Sequence, residues 1–61
     1  MVDNFEQRMN AEVCQPLIYA ANFKHNFYGA AYSTRLLQAI PIIEKALADA
    51  KQLLRDDGVK I

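Results

Sequence analysis

Cys14 and His25 are the side chains best equipped for chemistry in this 61-residue chain, and each is the only one of its kind. An imidazole can act as a general base near neutral pH, and a thiolate can act as a nucleophile when a base sits beside it. Here the two residues would lie about three helical turns apart, and no serine, histidine and aspartate share a spacing that suggests a triad. One cysteine and one histidine do not make a zinc site, and no acidic cluster has the spacing of a calcium loop. Gly29 and Gly58 are the only glycines, which leaves nothing to cradle a phosphate. The expectation is a protein without catalytic residues, metal or cofactor. A single cysteine also allows no intrachain disulfide, and Cys14 reads as a small apolar residue.

A second group has another chemistry. Lys24, His25, Tyr28, Tyr32 and Arg35 set cations among aromatic rings, the combination that meets phosphates and stacks on bases. Lys24, Tyr28, Tyr32 and Arg35 are therefore the candidate nucleic-acid contacts. The group is short, and no basic stripe extends it. Seven basic and seven acidic residues cancel in the whole chain, unlike a strongly basic nucleic-acid binder.

The strongest pattern is apolar. Leu36, Ile40, Ile43, Leu47, Ala50 and Leu54 recur in steps of four, three, four, three and four, the heptad spacing of a helix packed along its length against another helix. Leu37, Ile42, Ala46 and Leu53 form a further stripe on the adjoining face. One neighbouring helix covers only part of a helix's circumference. The expected interaction surface therefore comprises Leu36, Ile40, Ile43, Leu47 and Leu54 together with Leu37, Ile42 and Leu53. Its expected occupants are a second copy of the chain, another protein, or both.

Positioning these residues requires two long helical segments. Asp3 and Glu6 have capping-box spacing, and Phe5, Met9 and Val13 then follow on one face. Pro16 removes an amide that would bond the carbonyl of Glu12. The chain either kinks there or starts a new helix, and the bias of Gln15 away from helical angles favours the new start. The segment to Tyr28 is apolar on several sides and ends at Gly29. Ser33 is placed to cap a second long helix, with Tyr32 and Leu37 as its hydrophobic staple. That helix bends at Pro41 and ends at Gly58. The expected fold is all-α: a single small domain over residues 1–61, with helices at about 4–15, 16–28 and 34–57. These form a kinked antiparallel hairpin, the segment before Pro16 being the candidate separate helix, and the hairpin is expected to be oligomeric.

Size supports the last point. At 61 residues and 52% apolar content, the chain is suited to folding but near the lower limit for an independent core. With no disulfide or metal, association is the remaining means of stabilisation. No apolar run approaches a membrane span, and Met1-Val2-Asp3-Asn4 lacks the features of a signal peptide, so a cytoplasmic protein is expected.

The segment Asn26-Phe27-Tyr28-Gly29-Ala30-Ala31-Tyr32 and the alanine-rich helix from Leu36 to Leu54 resemble the small helical early-region proteins of lambdoid temperate bacteriophages. The resemblance covers about residues 20–57 and contains no diagnostic motif. It implies a non-catalytic regulatory protein in the host bacterial cytoplasm. Such a protein would act on host physiology or the lysis–lysogeny choice by contacting host or phage proteins. The two-helix plan is also similar to small plasmid RNA-binding hairpins that dimerise, although this chain lacks their basic row.

Overall fold

The computed structural model describes residues 4–61, and the expected Asp3 cap lies outside them. The chain is all-α. Helix α1 (Asn4–Met9) runs into a π-helical turn (Asn10–Cys14) and on into α2 (Gln15–Ala21); a short α3 (Phe23–Asn26) follows, and α4 (Tyr32–Asp56) is the one long helix.

Pro16 neither stops the first helix nor starts a separate one. Cys14 and Gln15 keep right-handed helical angles, with φ/ψ of −65/−49° and −63/−48°. Proline cannot donate to the carbonyl of Glu12, and its ring crowds that carbonyl. The turn before it widens instead, and the amide of Gln15 bonds the carbonyl of Asn10, five residues back. The extra residue re-aims everything upstream. Counted back from buried Ala20 in unbroken α-helix, Arg8 would face about 120° away from α4. With one residue accommodated in the wide turn it faces α4, and Arg8 Nη1 bonds Asp56 Oδ2 at 3.1 Å.

The expected 16–28 helix is divided at Asn22, whose φ/ψ of −89/38° leaves the helix. Asparagine amides compete with backbone bonding. Asn22 Nδ2 donates to the Ile18 carbonyl at 3.1 Å, and Asn26 Nδ2 reaches the Tyr19 carbonyl at 2.9 Å. The Tyr19 hydroxyl donates in return to the Asn26 carbonyl at 3.3 Å, and its ring meets Phe27 edge-on at 5.2 Å.

Helix α4 starts earlier than expected, at Tyr32, and without a Ser33 cap: Ala31 occupies the cap position with no side-chain bond. Side chains from its first turns reach back instead. Arg35 Nε donates to the Gly29 carbonyl at 2.7 Å, and Arg35 Nη1 donates to that of Lys24. Gln38 Nε2 donates to the Tyr28 carbonyl. Gly29 has φ +126°, and an added Cβ would stand 2.9 Å from Thr34 Cγ2. Gly29→Ala is therefore expected to cost about 1–2 kcal/mol, from the left-handed angle alone, read as a lowered midpoint in chemical denaturation. At the far end Gly58 terminates α4 as expected. Its φ is +89°, its amide bonds the Arg55 carbonyl at 3.0 Å, and the Val59 amide bonds that of Leu54 at 2.9 Å, a Schellman closure. Pro41 leaves α4 unbroken.

The first arm, residues 4–26, lies along α4 in the opposite sense: Arg8 meets Asp56 near one end, and Lys24 meets Arg35 near the other. Between them, Glu12 and Pro16 line a groove with Ile42, Lys45 and Asp49. The result is a slab of 45 × 24 × 9 Å with a radius of gyration of 13.9 Å. A compact domain of this length would have about 10.5 Å. One layer of helix has nothing stacked on it.

Candidate interaction surface

The contact between the arms is narrow and made largely of alanine. Among the described residues, Ala20, Ala39, Ala46 and Leu53 are the buried hydrophobic ones, at 1%, 0%, 1% and 3% exposure. Small side chains let the two backbones approach closely. This divides the expected interaction surface. The line of contact along α4 is Ala39, Ala46 and Leu53, with Ile42 half-buried beside them, and the heptad seam flanks it.

The seam stays open. Leu36, Ile40, Ile43 and Leu47 are 42%, 41%, 39% and 56% exposed, while Ala50 and Leu54 are half-buried. Leu37, at 71% exposed, stands on the outer edge. Of the expected surface residues, Leu53 is a core residue and Ile42 lines the groove on the opposite side, so neither belongs to the open face.

The direction of this face follows from helix geometry. Each seam residue lies three before or one after a buried residue: Leu36 and Ile40 about Ala39, Ile43 and Leu47 about Ala46, Ala50 and Leu54 about Leu53. At about 100° per residue these offsets equal turns of about 60° and 100° from the contact line. On the first arm, Leu17 and Ala21 bear the same relation to buried Ala20. In two antiparallel helices an equal turn from the contact leads to the same side. Leu17, 39% exposed, therefore shares one broad face of the slab with the whole α4 seam.

The opposite face holds the ion pairs, set around the groove that Ile42 and Pro16 line. It carries Gln38, Lys45, Asp49, Gln52 and Asp56, with Arg8 and Glu12 from the first arm. Arg8 Nε pairs with Glu12 at 2.9 Å, and Lys45 Nζ with Asp49 at 2.8 Å. Bonds to Glu12 and then Asp56 raise the pKa of Arg8, and the bond to Asp49 raises that of Lys45. Gln52, then Arg8, hold the Asp56 carboxyl below its usual value. The contribution of Asp56 is thus present at neutral pH and lost as pH falls through its lowered pKa. These groups are solvated, and their pairing is worth little beyond fixing register.

At the tip, three of the four candidate nucleic-acid contacts, Lys24, Tyr32 and Arg35, come together. Lys24 Nζ lies 5.3 Å from the centre of the Tyr32 ring and Arg35 Cζ 5.6 Å. Tyr28 is 84% exposed. Arg35, however, is occupied in closing the loop through the Gly29 and Lys24 carbonyls, a role that its spacing alone did not signal. Cys14 is half-buried in the π turn and His25 exposed on α3. Among the described residues no three of His, Cys, Asp and Glu gather to hold a metal, and no helix is long and apolar enough to cross a membrane.

Compared with family models, curated proteins and solved structures, the chain matches none.

Proposed function

We propose that this chain is a non-catalytic interaction protein whose working surface is the open apolar face of α4, extended by Leu17. The kinked two-arm hairpin is its carrier: it spends alanines on the contact between the arms and keeps leucine and isoleucine for the outside. The observation that carries this reading is the run of partly exposed Leu36, Ile40, Ile43 and Leu47 on one side of the slab, with the ion pairs gathered on the other. A contiguous apolar patch of this kind marks a contact with another macromolecule. The resemblance to early proteins of temperate phages agrees with a regulatory role exerted by protein contact inside a bacterium.

The test is the molecular mass of the purified protein by sedimentation velocity, followed by capture of binding proteins from bacterial lysate. Each is done with the wild type and with Ile43→Asp. The reading expects an associated species or a captured partner that the substitution removes. A monomer that captures nothing, with or without the substitution, would end it. Retention of RNA or DNA at low salt, lost on Lys24→Ala with Arg35→Ala, would favour the tip cluster instead.

A further inference from the structure

We infer that the occupant of this face is a second copy of the chain, laid antiparallel so that α4 pairs with α4 about a two-fold axis crossing near position 45. This rests on the docking role proposed above and goes further, because it fixes the partner and the register.

An interface between identical copies must complement itself: if one residue meets another, the reverse contact must also exist. The seam meets that condition. Its steps of four, three, four, three and four read the same in both directions. With one helix reversed about position 45, Leu36 meets the partner's Leu54, Ile40 the partner's Ala50, and Ile43 the partner's Leu47. Every apolar layer finds an apolar layer. No other centre along α4 matches all six positions.

Charge supports the same register independently. On the outer edge of the apolar face, at the flanking position of successive heptads, stand Leu37, Glu44 and Lys51. Glu44 and Lys51 are exposed and form no ion pair among the described residues. Helical side chains lean toward their own N-terminus. In the reversed pair, Glu44 of one copy and Lys51 of the other therefore lean toward one another across the seam. The two-fold axis makes that pair twice, as flanking charges do when they set orientation in packed helices. Leu37, otherwise the most exposed leucine, falls beside the partner's Gly58 and Val59 in this register, and Val59 is itself 43% exposed.

The area is sufficient. The broad face lies within a 45 by 24 Å outline, about 1,000 Å² at most per copy, which leaves room for the roughly 800 Å² per partner of a standard stable interface. First arm then lies over first arm, which brings Leu17 under the same cover.

Charge exchange tests this pairing without touching the apolar face. Glu44→Lys alone sets a second cation against the partner's Lys51 twice, and Lys51→Glu alone sets two acids together twice. Each single exchange is expected to weaken dimerisation at least tenfold at low salt, with the loss shrinking as salt rises. The double exchange restores the opposite charges and should recover wild-type association. Sedimentation equilibrium reads all four proteins, and circular dichroism checks that helix content is kept. Wild-type monomer at every concentration would overturn the second-copy assignment, and so would a dimer indifferent to the single exchanges. Neither result would end the docking role itself, which fails separately if Ile43→Asp changes neither mass nor partner capture.

Discussion

Ile43→Asp is expected to abolish association while the isolated chain keeps its two-arm contact. Ile43 is 39% exposed and lies on the open face, about 60° off the line where α4 meets the first arm, so the substitution removes little from the core. On the proposed two-fold interface it acts twice. Covering the exposed two-fifths of the isoleucine is worth about 0.6–1.2 kcal/mol per copy, and each carboxylate that replaces it must also be taken out of water or repelled from the contact, which costs about 1–3 kcal/mol more. The dissociation constant should rise by at least about 100-fold, since each 1.4 kcal/mol is about a factor of ten. The same substitution at Leu53, which is 3% exposed, should unfold the chain instead. Comparing the two by sedimentation and circular dichroism separates the open face from the core. Equal loss of helicity in both would contradict the division of α4 into two faces.

That division shows what the sequence could and could not reveal. The all-α class, the Gly58 terminus and the passage of α4 through Pro41 followed from periodicity and from the special conformations of glycine and proline. The division of the expected surface into core and open residues did not. Leucine and isoleucine at heptad spacing are a larger hydrophobic signal than alanine, and a reading weighted by side-chain size gives them the nearest helix. In the fold, closeness of approach decides: Ala20, Ala39 and Ala46 are the buried contact, and the bulkier stripe is displaced to the outside. The surplus of apolar surface was legible, but which of its residues stay open depended on geometry between the arms.

The departures from expectation around Pro16, Asn22 and Ser33 share a cause. Local rules for proline, asparagine and serine describe what each residue favours alone. Here Pro16 is accommodated by a wider turn that also brings Arg8 to Asp56. Asn22 and Asn26 satisfy carbonyls where the helix breaks, and Arg35 and Gln38, donating from inside α4 to loop carbonyls, tie down the connection that a capping serine was expected to fix from the helix end. Arg35, read from sequence as a candidate nucleic-acid contact, is part of the loop closure for the same reason. Its partners are carbonyls eleven and six residues upstream, a relation that periodicity does not encode.

Ala39→Leu should destabilise the chain, although by propensity and hydrophobicity it would be harmless. Leucine is a good helix former, and it would extend the apolar surface of α4. But Ala39 is fully covered, at 0% exposure, in a contact whose closeness depends on small side chains. Inserting a larger side chain there forces the arms apart or drives it into an unfavourable rotamer, at a cost of about 1–3 kcal/mol. Ala48→Leu, at an exposed position on the same helix, supplies the control: it shares the propensity change and meets no neighbour. Chemical denaturation at one fixed protein concentration should show a lowered midpoint for Ala39→Leu and little change for Ala48→Leu. If Ala39→Leu instead matched or exceeded the wild type, the alanine contact would not be what sets the distance between the arms. The seam would then be free to turn inward, and the open face on which the interaction role depends would close.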